Sequence, residues 1–326
     1  MKSLLCRTLT GIDDLEVEDG PDLQPAAGEI VVDVKAAGVN FPDVLLVQGK
    51  YQYKAQLPFA PGFELAGTVR AVAAGVTHLE AGDNVAAIVS HGAFAQQARV
   101  LADRAVKLPA KVDFEAAAAM LFTYGTSIHA LKDRGELKAG ETLLVLGAAG
   151  GVGLSAVELG KLMGARVIAA ASSPEKLAVC RDQGADETID YSKEDLRERI
   201  KALTHGKGID VVCDPVGGPY TEPALRSLAW KGRLLVIGFT AGDIPKIPLN
   251  LPLLKGSSIV GVYLGAQLEK EPAQAAANAR QLVEWLAAGK IKPHICARYP
   301  LSQGIEALRE VQDRRAKGKV VIVPAG

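Results

Sequence analysis

Leu143-Leu-Val-Leu-Gly-Ala-Ala-Gly-Gly-Val-Gly153 is the stretch on which the fold turns. Its four leading apolar residues read as a strand buried on both faces, and the glycines that follow mark a tight turn. Beyond the turn, Val152, Ala156, Leu159 and Met163 recur at helical spacing, and Arg166-Val-Ile-Ala-Ala170 resumes as a strand. Together these make a βαβ unit of about 30 residues. A glycine turn in that setting lets the backbone approach a pyrophosphate, while the N–H groups and dipole of the helix start hold its negative charge. The first glycine of the usual pattern is replaced by Ala148; Gly150 and Gly153 keep the close-approach and helix-packing positions. Ala148, Gly150, Gly151, Val152 and Gly153 are therefore cofactor-binding candidates. A bare glycine pattern would be weak evidence, and it is the complete βαβ unit around this one that counts against a purely structural turn.

The end of the second strand discriminates between cofactors. A site built for NAD places an Asp or Glu there, on the ribose hydroxyls. This chain instead has Ala171, followed by Ser172, Ser173 and Lys176. Small hydroxyls beside an ammonium suit a phosphate dianion, which an acid would repel, so the pattern favours NADPH over NADH.

Outward from this unit, Ile209-Asp-Val-Val-Cys213 and Gly232-Arg-Leu-Leu-Val-Ile-Gly238 read as further strands, each after a helical or turn segment. The expected class is α/β, with a doubly wound parallel sheet. The first third reads differently. Ile30–Lys35, Gly67–Val72 and Asn84–Val89 are short β-branched segments separated by Gly and Pro, as in a small barrel or sandwich. The tail carries amphipathic helices near Ala275–Ala288 and Gly304–Asp313 and a last strand at Val320–Val323.

Composition limits the function. The 326 residues are 48% hydrophobic, and 37 basic side chains balance 37 acidic ones. That length suits two domains, and that apolar content excludes disorder. Zero net charge removes the field that drives binding to nucleic acid or to anionic membranes, so any anion must be held by a local site. Cys6, Cys180, Cys213 and Cys296 form no C-x-x-C pair, and His78, His91, His129, His205 and His294 show no ligand spacing. No metal site is expected. The start lacks a signal-peptide core, and the longest apolar run, Leu143–Leu154, is broken by four glycines, short of the ~18–20 residues that span a bilayer. A soluble cytoplasmic protein is the resulting expectation.

Ala148-Ala-Gly-Gly-Val-Gly153, with Ala37-Gly-Val-Asn-Phe-Pro-Asp43, Gly49-Lys-Tyr51 and Pro61-Gly-Phe-Glu-Leu-Ala-Gly67, resembles the zinc-free quinone oxidoreductase (zeta-crystallin-like) branch of the medium-chain dehydrogenase/reductase superfamily. The likeness runs through essentially the whole chain. It implies a GroES-like catalytic domain (1–122 and 264–326), an inserted Rossmann NADPH-binding domain (123–263) and an active site in the cleft. The superfamily's zinc alcohol dehydrogenases place a cysteine ligand where this chain has Asn40, and Gly-His-Glu where it has Gly62-Phe63-Glu64. The neighbourhood of their second cysteine carries Phe122. Phenylalanine cannot ligate a metal, and one amide does not make a catalytic zinc site.

The same resemblance implies several site residues. Tyr191 falls where similar proteins place a tyrosine on the adenosine 2′-phosphate, completing a clamp with Ser172 and Lys176. Thr123 matches a threonine near the nicotinamide ribose, and Asn40 lies beside the nicotinamide in similar enzymes. Asp214-Pro-Val-Gly217 and Gly238-Phe239 end later strands at the carboxyl edge of the sheet, where open α/β sheets bind ligands. Asp214 reads equally well as an ordinary loop residue. Tyr51 matches the catalytic tyrosine of the related 2-enoyl thioester reductases, whereas a second cleft tyrosine of several quinone reductases is Leu45 here.

Three readings follow, the third implied by the resemblance alone. Hydride delivery from NADPH to a quinone needs no strong general acid and comes first. An enone or enoyl-CoA (acryloyl-type) reductase with Tyr51 as proton donor is the alternative, with Lys50, Lys54 and Lys255 as candidates for a basic patch. A non-enzymatic structural or RNA-binding role is the third, against which the zero charge argues. The expected partners are a small-molecule electron acceptor and a second copy of the chain. The resemblance implies a homodimer joined through the Rossmann sheet edge, with Ser257-Ser-Ile-Val-Gly-Val-Tyr263 as the pairing strand.

Overall fold

The computed structural model describes residues 1–324. The chain divides into two compact units, 1–122 with 276–326 and 123–275.

The second unit is a six-stranded parallel sheet. In spatial order its strands are Glu187–Asp190, Arg166–Ala171, Thr142–Leu146, Ile209–Asp214, Leu228–Val236 and Ser258–Gly261. In chain order this is 3-2-1-4-5-6, the doubly wound arrangement in which the order reverses beside the first strand. Leu143, Leu144, Val145 and Leu146 are wholly buried, as a central strand covered on both faces requires. Helix Gly151–Leu162 follows the first strand directly.

The first unit is a mainly antiparallel seven-stranded sheet with Glu29–Val39 as its hub. That strand pairs along one edge with Glu64–Val72. Along the other edge its first half meets Gln97–Leu101 and its end meets Lys319–Val323, with Gly38 opposite Val321. The Gly38↔Glu64 pairing explains one glycine: a side chain at Gly38 would fill the space of the Glu64 carboxyl and the Ala118 carbonyl. Ile30, Val32, Leu65, Val69, Val85 and Val100 lie in one buried cluster of this unit.

The return to the first unit comes at Ala276 and not at Leu264. Helix Leu264–Lys270 belongs to the parallel-sheet unit because polar contacts hold it there: Gln267 Nε2 donates to Asp133 Oδ2 (2.9 Å), and Gln274 Nε2 donates to Asp133 Oδ1 (3.2 Å). Asp133 lies in a π-helical segment, His129–Arg134, with buried His129 Nδ1 3.1 Å from its carboxylate. Amphipathic spacing located the tail helices, observed at Pro272–Ala287 and Gly304–Gln312, without showing which unit they serve. No helix among the described residues is long and apolar enough to cross a membrane.

Candidate active site

The glycine turn is built by the ends of the first strand and first helix of the parallel sheet. Gly147 takes a left-handed φ of 57°, which turns the chain out of the strand. Ala148 N–H then donates to the Ala170 carbonyl (3.0 Å), tying the turn to the neighbouring strand. Gly150 is the N-cap of helix Gly151–Leu162, so the N–H groups of the helix's first turn leave its N-terminal end without helical carbonyl partners. A Cβ at Gly150 would meet only the Gly147 carbonyl, at 3.5 Å, whereas one at Gly153 would run into the Gly147–Ala148 backbone. Gly150 thus leaves an open cradle, and Gly153 allows close helix packing. This cradle fits a dinucleotide pyrophosphate.

At the carboxyl end of the adjacent strand the candidate 2′-phosphate residues come together. Lys176 Nζ donates to Ser172 Oγ (3.3 Å), and Tyr191 N–H donates to the Ala171 carbonyl (3.2 Å), which sets Tyr191 beside the position vacant of an acid. Ser173 is used differently. Its hydroxyl caps helix Pro174–Asp182, accepting from Lys176 N–H (3.3 Å). Tyr191 stacks on Tyr220 with centroids 4.3 Å apart, a partner that sequence reasoning did not single out. Tyr220 lies in a short 3-10 turn, Gly218–Tyr220, reached only through the fold.

Asp214 is a turn former. Its carboxylate accepts from Val216 N–H (2.9 Å), Gly217 N–H (2.8 Å) and the Thr221 hydroxyl (2.6 Å), so the buried acid shapes the Asp-Pro-Val-Gly loop. Gly238 N–H reaches the Asp214 carbonyl at 3.4 Å, and the Phe239 ring that follows is 37% exposed. Thr123 is buried, and its carbonyl accepts from Ser155 Oγ (3.1 Å).

In the β-rich unit a group of buried charges surrounds Asn40. Asn40 Nδ2 donates to Glu64 Oε1 (2.9 Å) and to the Gly38 carbonyl (3.3 Å), and its Oδ1 accepts from Lys319 Nζ (2.7 Å). Lys319 Nζ also donates to Glu64 Oε1 (2.6 Å) and the Val39 carbonyl (3.2 Å). Glu64 Oε2 accepts from the Phe122 N–H (2.8 Å). Glu64 is wholly buried, Lys319 3% exposed and Asn40 5% exposed. Both ends of the Asn40 amide are thus engaged within the unit. Asp43, at the third position of helix Phe41–Val47, accepts from Asn40 N–H (2.7 Å) and Gly62 N–H (3.1 Å). Burial pushes its carboxyl up to about 8, against the pull of those N–H groups and of the Lys319 ammonium, and with a push from Glu64.

Tyr51 sits in the loop after Gly49 and packs its ring edge-on to Phe63, with centroids 5.3 Å apart at 63°; Phe63 in turn lies 5.7 Å from Phe122 at 39°. Two residues further on, Tyr53 Oη and His91 Nδ1 are 3.0 Å apart, and burial with the nearby Arg99 charge lowers the His91 pKa. Of the three lysines considered for a basic patch, Lys54 Nζ is tied to the Gly49 carbonyl, and Lys255 Nζ to the Arg226 (2.7 Å) and Leu228 (2.6 Å) carbonyls. Among the described residues, no three His, Cys, Asp or Glu side chains are grouped to hold a metal ion. With rings at 63 and 122 and the Asn40 amide engaged, the residues present do not fit a catalytic zinc.

Two family models match the chain, an alcohol dehydrogenase GroES-like domain over residues 26–110 and a zinc-binding dehydrogenase domain over 151–284. A quinone oxidoreductase-like protein 2 homolog of Nematostella vectensis is 39% identical over 297 residues, spanning 90% of this chain and 81% of that protein. A quinone oxidoreductase of Pseudomonas aeruginosa is 36% identical over 315 residues, 96% and 97% of the two chains. The crystal structure of Escherichia coli quinone oxidoreductase complexed with NADPH superposes with a TM-score of 0.92 at 31% identity, covering 99% of this chain and 100% of that one. With the reversed strand order, the glycine cradle and whole-chain relatives of this kind, the protein belongs to the quinone oxidoreductase branch of the medium-chain dehydrogenase/reductase superfamily.

Proposed function

We propose that the protein is an NADPH-dependent quinone oxidoreductase that works without zinc. The observation that carries this reading is the replacement of metal-ligating residues by Asn40, Phe63 and Phe122, with the Asn40 amide locked between Glu64 and Lys319. When bound, NADPH supplies a hydride from its nicotinamide C4. A quinone that took that hydride and one proton from water would become a hydroquinone. A quinone suits residues that offer no metal, because its developing oxyanion is stabilised by its own conjugation. The turn at Gly150 to Gly153 receives the pyrophosphate, and Ser172, Lys176 and Tyr191 receive the 2′-phosphate; Ser173 acts by capping the helix that carries Lys176. Gly238 and Phe239 border the ligand edge of the sheet, and Thr123 supports the nicotinamide ribose. The E. coli relative binds NADPH, which supports the choice of cofactor.

Tyr51 keeps a second reading in view, reduction of an enone or enoyl-CoA with its phenol as proton donor. Its placement on the Phe63 ring favours both readings, but the engagement of Lys54 and Lys255 with backbone carbonyls weakens the case for a CoA-binding patch. The deciding assay measures NADPH and NADH oxidation with 1,4-benzoquinone, a simple enone and a short enoyl-CoA. The expected result is fastest turnover with NADPH and quinone, in metal-free protein. Tyr51→Phe should lower quinone turnover by less than about threefold, whereas a loss of 10²-fold or more confined to the enoyl-CoA would establish the second reading. Stoichiometric zinc in the active protein would remove the zinc-free assignment.

We also propose a homodimer. Ser258–Gly261 is an edge strand of the parallel sheet, and Trp230, Leu249, Leu253, Leu254, Ile259 and Tyr263 expose large apolar surface in the same unit. An unpaired edge with apolar neighbours is a pairing surface.

A further inference from the structure

A cavity of about 510 Å³ opens in the β-rich unit between residues 106–111 and residues 280–288. It shares no residue with the glycine cradle, the phosphate clamp, Asn40 or Tyr51. Strand Ala105–Lys107 ends the seven-stranded sheet, pairing on one side with Asn84–Ile88, and helix Pro272–Ala287 passes beside it. Val283, 5% exposed, supplies the apolar surface together with Val106, Pro109, Ala287 and Ala288. Three exposed cations complete the lining. Lys107 Nζ is committed to Asp83 Oδ1 at 2.5 Å, whereas the side chains of Lys111 and Arg280 make no ion pair or hydrogen bond among the described residues. Lys111 is held in place by a turn, closed by the bond from Val112 N–H to the Pro109 carbonyl (2.9 Å). Glu284 follows Arg280 at the spacing of a helical ion pair, yet its Oε2 accepts from Gln281 Nε2 (3.2 Å) and leaves the guanidinium open.

These groups define a ligand chemistry. With Lys107 neutralised by Asp83, two open cations face one carboxylate, and the lining carries an excess of positive charge. A guanidinium offers a planar fork that matches a carboxylate, and an ammonium adds a point charge. No aromatic, hydroxyl or amide side chain lines the cavity, so nothing there stacks a base or reads a sugar. We infer that this cavity binds an aliphatic carboxylate of medium chain length, with its head on Arg280 and Lys111 and its chain along Val106, Val283 and Ala287. A cavity of this volume is of the size that holds small molecules. Its occupant joins the helix on which the chain returns to the end of the sheet it returns to, and it stabilises the unit by mass action. The site stands apart from the nucleotide and acceptor readings above and does not depend on them.

The test titrates the full chain, saturated with NADPH, with octanoate and follows the valine and alanine methyl resonances. A ligand of this size is expected to bind with a Kd of about 1 mM or tighter, with shifts at Val106, Val283 and Ala287. Acetate keeps the head without the chain, and octyltrimethylammonium keeps the chain and inverts the charge; each should bind at least about tenfold more weakly. Arg280→Gln and Lys111→Gln should each raise the octanoate Kd about tenfold and leave NADPH affinity unchanged. Ala287→Leu fills the cavity without touching a charge and should cause a similar loss; if it does not melt cooperatively, the two exposed glutamine variants carry the test. Absence of shifts at these methyls up to about 10 mM octanoate, or wild-type affinity in both glutamine variants, overturns the site. Acetate or the cationic amphiphile binding as tightly as octanoate overturns the assigned ligand class.

Discussion

Lys176 acts through two atoms. Its main-chain N–H donates to the hydroxyl of Ser173, the cap that starts helix Pro174–Asp182, and its ammonium donates to Ser172 Oγ. The side chain is thereby held near the strand end in advance of any phosphate. Charge-assisted hydrogen bonds to phosphate are strong, so Lys176→Ala should weaken NADPH binding about 10–100-fold and alter NADH binding less than about twofold, read by fluorescence titration of each nucleotide. Equal weakening of the two would remove Lys176 from the proposed clamp. The sequence made this residue legible because a missing acid at Ala171 and a lysine one helical turn beyond it are both local facts. Tyr220 was illegible for the opposite reason: it lies 29 positions from Tyr191, and only the order of the parallel strands brings their rings together.

At the scale of elements, the N-terminus of helix Phe41–Val47 and the last strand, Lys319–Val323, meet in a buried polar cluster. Lys319 and Glu64 attract each other, yet Asp43 adds a second carboxyl beside that pair. The folded Asp43 keeps its proton up to about pH 8, whereas an unfolded aspartate releases it near 3.9. Between these values the folded state binds more protons than the unfolded one, so Asp43 makes stability fall as pH rises through that window. The slope from one such group reaches about 1.4 kcal/mol per pH unit at most. Asp43→Asn is expected to flatten this part of the pH dependence of the urea midpoint between pH 5 and 9. A variant with the wild-type slope would show that Asp43 ionises without cost. The sequence pointed to Asn40 through its motif, but nothing local announced Lys319, which is 279 residues away and arrives only by strand pairing.

For the whole molecule, the chain leaves the β-rich unit at Phe122 and returns at Ala276, so each core must close around a segment interrupted or inserted by the other. The first crossing was expected at Phe122 through the family resemblance alone, since the change of strand pattern comes only at Thr142. The second was not legible: helix Leu264–Lys270 carries no mark of its allegiance, which Asp133 decides through Gln267. The proposed dimer also belongs to this scale. Leu253→Asp with Ile259→Asp places two charges on the apolar surface beside the edge strand, and sedimentation at micromolar concentration should change from the mass of two chains to that of one. Wild-type protein that sediments as a single chain would rule out the pairing.

By itself the sequence determined the doubly wound sheet, the glycine cradle and the acid-free strand end, because each is written in a contiguous run whose spacing and residue types have one geometric outcome. Only the tertiary structure decided what surrounds Asn40. Whether its amide is available or saturated depends on Glu64 and Lys319, side chains delivered by separate strands, and buried polar groups must find partners wherever the fold supplies them.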